Sequence, residues 1–237
     1  MRKIFCFILG LLTVSCQAFA NDTQSIIDRD TASKIVEVSS LSKVETKIRD
    51  AAVIVTNSRY SMMGSGTYIS LGRKRAVITA AHVVRDFNDI VVVGRVGEKL
   101  AATVIYRDKK RDIAILSVPN IRTRSPVKFK PALTSPRDLL GLSVTYTGFP
   151  NGLDLMTING RVSGYDSATG FILLHSFTWP GASGACVFDH NGNLIGILSM
   201  VSVGEFEVRQ IIEDVVWITP ISTSDISEII LAIGVRG

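Results

Sequence analysis

From residue 52 to residue 218 the apolar positions fall in short runs rich in Val, Ile, Thr, Tyr and Phe, broken by Gly, Pro and charged clusters. This is the pattern of strands, because a pleated backbone repeats every two residues and accepts β-branched side chains well. Six runs precede the middle of the chain, at 52–56, 67–71, 76–79, 90–96, 100–106 and 113–118. A stretch carrying Pro119, Pro126, Pro131 and Pro136 follows, and it reads as a linker over 119–137 that few apolar contacts are expected to cross. A second set then runs through 144–147, 156–165, 171–177, 185–188, 194–203 and 207–218. The predicted fold is all-β: two six-stranded antiparallel β-barrels, at 51–118 and 138–221, with a C-terminal helix over 222–237. That helix is signalled by Ile226, Ile229, Ile230 and Ile233 at helical spacing after Ser222 or Ser224, and it is expected to pack back on the second barrel. Residues 21–50 form an N-terminal arm for which a mobile segment, a helix and a trimerisation element all stay open.

Composition supports this layout: 237 residues with 46% hydrophobic content can bury a sizeable core, and 19 glycines suit a turn-rich β protein. Residues 1–20 read as a secretory signal peptide. Arg2 and Lys3 stand ahead of an apolar run at 4–14, and Ala18, Phe19, Ala20 give a small-x-small ending. The run is too short to span a bilayer as a mature helix, so the chain is expected to be exported, to the periplasm or beyond. Cleavage after Ala20 would leave Cys186 alone of the 3 cysteines, with no intrachain disulfide to form. Cys186 itself reads as a small buried filler. The same leader also allows a lipoprotein reading, in which Thr13, Val14 and Ser15 precede an acylated Cys16.

Charge narrows the partners. The net charge of +5 drops by two once Arg2 and Lys3 are removed, too modest an excess to point to nucleic acid. The clusters Arg73, Lys74, Arg75 and Lys109, Lys110, Arg111 sit in predicted turns, with no aromatic interleaving, and read as solvated hairpin tips. The partners expected are polypeptide substrates, with an oligomer possible. No metal or cofactor is implied.

Three residues carry the candidate chemistry. His82 closes an apolar run of small residues, Ala76 to Ala81; Asp112 opens a strand, Ile113 to Leu116; Ser183 lies in the small-residue loop Gly181, Ala182, Ser183, Gly184, Ala185. A serine hydroxyl is a poor nucleophile until a neutral imidazole takes its proton during attack, and a carboxylate holds that imidazole in the right tautomer. His82 is therefore the expected base, Asp112 its orienter and Ser183 the nucleophile, with the amides of Gly181 and Ser183 as the oxyanion hole. Each residue alone has an ordinary structural explanation, as a turn serine, a half-buried histidine or a strand-leading aspartate. Together, in this order and in strand context, they point to acyl transfer. Asp108 is the alternative acid, but no apolar strand follows it directly.

At these residues the chain resembles the trypsin-like serine proteases, and most closely their bacterial HtrA (Deg) branch. The similar pieces are Gly64, Ser65, Gly66, Thr67; Thr79 to Val83; Asp112 to Leu116; Gly148, Phe149, Pro150; Pro180 to Ala185; and Asn191 to Ile197. The resemblance implies a double barrel with the cleft between its halves, and nothing after the final helix could form a PDZ module. Two departures stand out. Ala185 and Cys186 occupy the places where the family usually has a second glycine and then proline. Ala182 stands where digestive trypsins carry the aspartate that pairs with a freshly cut N-terminus, so activity is expected to depend on loop order rather than on such a cut.

By the same resemblance, Phe177 would lie at the base of the substrate pocket, with Ser199, Met200 and Val201 along one wall. No acid at Phe177 argues against cleavage after Lys or Arg and favours a small or apolar residue there. His175 and His190 receive no role. An α/β-hydrolase would need a helix after its serine and a histidine far downstream, and after Ser183 only His190 remains. A silent protease-like protein that holds peptides in the same cleft is the rival from another class.

Overall fold

In the computed structural model the described residues are 41–59, 62–205, 209–221 and 223–236. The expected leader, Cys16 and residues 21–40 of the arm lie outside them. The arm ends in helix α1, Lys43–Ala51. Its start follows from a capping box: the Glu45 amide donates to Ser42 Oγ at 3.2 Å, and the Ser42 amide donates to the Glu45 carboxylate at 2.7 Å. Ile48 and Ala51 are its buried residues.

Strands β1 (Ala52–Asn57), β2 (Met63–Leu71), β3 (Lys74–Thr79), β4 (Ile90–Val93), β5 (Lys99–Asp108) and β6 (Ile113–Ser117) form the first barrel. They run in the order β1-β4-β5-β6-β3-β2, and β2 pairs back with β1 to close the ring. A short helix, α2 (Ala81–Val84), follows β3. Strand β7 (Val127–Lys128) lies parallel to the outer part of β2. The second barrel closes in the order β10-β13-β12-β11-β8-β9. Its strands are β8 (Ser143–Gly148), β9 (Met156–Tyr165), β10 (Ile172–His175), β11 (Cys186–Asp189), β12 (Leu194–Glu205) and β13 (Arg209–Pro220). Every neighbouring pair within the two rings is antiparallel, so the two six-stranded barrels expected from the pattern are present.

Two expectations are corrected. The final helix α3, Thr223–Arg236, packs on the first barrel, not the second. Ile229 and Ile233 are fully buried in a cluster with Ile113, Ile115 and Leu116 of β6 and with Val77 of β3. Arg111, at the turn before β6, ties the helix down: it donates to Asp225 at 3.0 Å and to the carbonyl of Pro220 at 2.6 Å. The apolar stripe marks the helix along the sequence, but a stripe does not name its partner face. The expected linker also carries more packing than foreseen, since Ile121 and Phe129 are buried in the first-barrel cluster and β7 extends its sheet.

The barrels meet over a shared apolar layer. Cys186, Phe188, Leu194 and Ile197 of the second barrel belong to the same buried cluster as the first-barrel core. At about 1.5–3 kcal/mol for each large side chain fully removed from water, this layer holds the halves together strongly enough to fix the cleft between them. Cys186 is completely enclosed there, and burial pushes its thiol up to about 12, which leaves almost no thiolate at neutral pH. Among the described residues no helix is long and apolar enough to cross a membrane.

Candidate active site

The site is built from chain turns where strands end. His82 lies in α2, directly after β3 delivers the chain to the barrel rim. Asp112 lies in the turn between β5 and β6, with φ at +58°, a left-handed conformation that aspartate tolerates better than most residues. That turn is fixed from both sides. Asp108 accepts the amides of Lys110 and Arg111 at 2.8 and 3.0 Å, and the Arg111 side chain reaches α3 and β13 as described. Asp108, the alternative acid, is thus occupied in shaping the turn.

His82 Nδ1 and Asp112 Oδ2 are 2.7 Å apart, and the His82 amide donates to Asp112 Oδ1 at 2.8 Å. A carboxylate can only accept, so Nδ1 carries a proton, and in the neutral imidazole Nε2 is then the nitrogen with the lone pair. The imidazole is about two-fifths exposed while the carboxylate is mostly covered, which suits a ring that faces substrate and an acid that faces protein.

Ser199 of β12 completes the acid's surroundings. Its hydroxyl donates to Asp112 Oδ2, and its carbonyl accepts from Ser183 Oγ at 3.4 Å. The serine and the histidine–aspartate pair, from opposite barrels, therefore meet on one residue. Ser183 Oγ points at this carbonyl rather than at the imidazole. Ser199 was expected on the wall of the substrate pocket; its side chain is buried, and its hydroxyl serves the acid.

The loop before Ser183 leaves two of its amides without an acceptor among the described residues, while the Ala182 amide donates to the Trp179 carbonyl at 3.1 Å. The Pro180 carbonyl accepts from the Asn151 amide at 2.5 Å and the Ala182 carbonyl from the Ala185 amide at 3.1 Å. A planar trans peptide points its N–H opposite its C=O, so the amides of Gly181 and Ser183 face away from those partners. Neither donates to an acceptor among the described residues. Gly181 has φ at +97°, and a side chain there would meet the Phe149 carbonyl at 2.6 Å, so this position requires glycine.

Phe177 and Met200, both expected at the pocket, are partly exposed. The Phe177 carbonyl accepts from the Tyr146 hydroxyl at 2.5 Å, and burial pushes that phenol up to about 12. The Phe177 ring lies 6.0 Å from that of Trp179. The side chain of Val201 is outside the description. A separate cavity of about 500 Å³ lies between the Lys110–Arg111 turn, the 132–139 segment and Ile226, and none of the expected site residues lines it. Among the described residues no three His, Cys, Asp or Glu side chains are grouped to hold a metal.

Residues 64–197 match the family model of the trypsin-like peptidase domain. The chain belongs to that family. The matched trypsin-like region includes His82, Asp112 and Ser183. A probable periplasmic serine endoprotease, DegP-like, from Halomonas elongata is 32% identical over 148 residues, covering 59% of this chain and 29% of that protein. The chain thus spans about three-tenths of the length of the curated relatives it matches. Among solved structures, the serine endoprotease of Yersinia pestis aligns with a TM-score of 0.62 at 22% identity, covering 79% of this chain and 64% of that one. The active form of a protease from M. tuberculosis aligns at 0.63 and 21%, covering 82% and 86%. These structural likenesses show that the trypsin-like double barrel is shared.

Proposed function

We propose that this trypsin-like protein is an exported serine endopeptidase with His82, Asp112 and Ser183 as its triad. The observation that carries the reading is the doubly hydrogen-bonded His82–Asp112 pair, whose free Nε2 belongs to the barrel opposite the nucleophile loop. In the proposed reaction Nε2 takes the Ser183 proton as Oγ attacks the scissile carbonyl carbon. The Gly181 and Ser183 amides receive the oxyanion, the imidazolium gives its proton to the leaving amine, and an acyl-enzyme forms. Water, deprotonated by the same Nε2, then attacks the ester carbonyl, and the imidazolium returns that proton to Ser183 Oγ as the acid product leaves. The 1–20 leader and the periplasmic naming of the Halomonas relative support export. Phe177, without a carboxylate, supports a small or apolar residue before the cut.

The test is turnover of unfolded casein beside a small p-nitrophenyl ester. Internal cuts in casein, mapped by mass spectrometry to sites after small or apolar residues, are expected. Ester hydrolysis alone would make the protein an esterase on a protease frame, and binding of casein without cuts would make it a silent peptide binder.

A further inference from the structure

We propose that Ser65, a first-barrel residue, is a positioning residue that sets the oxyanion hole of the second barrel; this rests on the reading of Ser183 as nucleophile. Ser65 is fully buried in β2, yet two of its polar atoms, the amide nitrogen and the hydroxyl oxygen, serve loops across the cleft. Its amide donates to the Ser183 carbonyl at 2.8 Å. Its hydroxyl donates to the Gly181 carbonyl at 2.8 Å and accepts from the Phe149 amide at 2.9 Å. Its own carbonyl accepts from Thr79 Oγ1 at 2.8 Å, three residues before His82.

The consequence follows from peptide geometry. The two peptides flanking Gly181 each have a free rotation to lose, and glycine resists neither. The Pro180–Gly181 peptide is held by Asn151 at its carbonyl, and the Gly181–Ala182 peptide is held by Ser65 Oγ at its carbonyl and by the Trp179 carbonyl, which accepts from the Ala182 amide at 3.1 Å. Asn151 stands two residues beyond Phe149, whose amide is bonded to the same Ser65 hydroxyl. One hydroxyl therefore anchors the Gly181 carbonyl directly and the segment that fixes the Gly181 amide indirectly. Without it the Gly181 N–H can swing out of line with the developing oxyanion while Ser183, His82 and the substrate pocket keep their places. Since the anchor comes from the other barrel, a formed hole also reports that the barrels are docked.

Gly148 gives a second handle on the same atom. A Cβ built there would lie 2.7 Å from Ser65 Oγ. Gly148→Ala thus pushes the hydroxyl aside without deleting it, which keeps the proposal testable should Ser65→Ala not fold.

The experiment measures kcat and KM of wild type, Ser65→Ala, Gly148→Ala and the double variant on an internally quenched peptide, with active sites counted by fluorophosphonate titration and with inhibition by a peptide boronate. Losing alignment of one oxyanion donor, rather than the donor itself, is expected to lower kcat roughly 10- to 100-fold. KM should stay within about twofold, and boronate affinity, which reads the tetrahedral adduct, should fall in step with kcat. The double variant should lose no more than the worse single one, because both act through one hydroxyl. If kcat per titrated site is unchanged in both single variants, or falls while boronate affinity holds, Ser65 is only a structural residue and the proposal is wrong. A wild type that neither turns over nor takes the fluorophosphonate would instead end the reading of Ser183, and this one with it.

Discussion

Ser183→Ala is expected to lower kcat for peptide hydrolysis by about 10⁶-fold while the protein stays folded. The loss is large because the acyl-enzyme route disappears with the hydroxyl, and what remains is solvent attack on a bound peptide helped only by the Gly181 and Ser183 amides. The fold is expected to tolerate the change. Ser183 Oγ makes a single long bond, 3.4 Å to the Ser199 carbonyl, while the loop is held by its backbone through Ser65, Asn151 and Leu198. Tm should therefore shift by no more than about 2 °C. Measuring kcat at saturating substrate together with thermal melting checks both halves. A variant that keeps more than a hundredth of wild-type turnover would mean that another group is the nucleophile.

Asp112→Asn is expected to cost about 10⁴-fold in kcat, through the proton rather than through shape. Asp112 now accepts from the His82 amide on one oxygen and from both the His82 ring and the Ser199 hydroxyl on the other. An asparagine has one acceptor and one donor end. If its oxygen stays on the backbone amide, its NH₂ faces Nδ1, which must then become the acceptor and hand the proton to Nε2, where no base is left. If it turns over, the NH₂ opposes the His82 amide, leaving a covered donor without an acceptor, at about 1–3 kcal/mol. The first arrangement disables the base, and the second, which keeps the tautomer, is disfavoured by that unpaired donor. The rate should recover partly at high pH, where hydroxide assists attack, and a flat pH profile at wild-type rate would show that Asp112 does not orient the base. Asp108→Asn serves as the contrast: it disturbs a turn cap and leaves the tautomer alone.

The strands were legible because their periodicity is local, and the boundaries that slipped did so for non-local reasons. β2 begins at Met63, earlier than residue 67, because Gly64 and Gly66 are strand residues whose missing side chains leave room for Val83, Val55 and Val77. A propensity reading treats such glycines as a turn. β4 ends at Val93, before the exposed, left-handed Val96, because the chain turns there: the Gly94 amide donates to the Glu98 carbonyl and the Glu98 amide to that of Arg95, while the Arg95 amide goes to Thr123 Oγ1. The C-terminal helix is visible from its isoleucines, but its seat on the first barrel is set by contacts between residues far apart in sequence, Ile229 and Ile233 with β6 and Arg111 with Asp225.

The same division applies to the site. His82, Asp112 and Ser183 each carry a local signature, so they could be named from the chain, and the His82–Asp112 contact is present. Ser65 and Ser199 could not be assigned their contacts. Ser65 is visible in the sequence only as part of a glycine–serine–glycine run, and Ser199 only as an expected wall of the substrate pocket. Their hydroxyls matter through partners 116 and 87 residues away, Gly181 and Asp112, and no periodicity records such pairs.

The central claim is that Ser183 becomes nucleophilic because His82 can take its proton. The most direct measurement is the rate of fluorophosphonate labelling followed by intact mass and peptide mapping, for wild type and for His82→Ala. One adduct per chain on Ser183 is expected in wild type, with labelling slowed by at least about 10³-fold in His82→Ala. An adduct on another residue, or equal labelling rates in the two proteins, would contradict that claim.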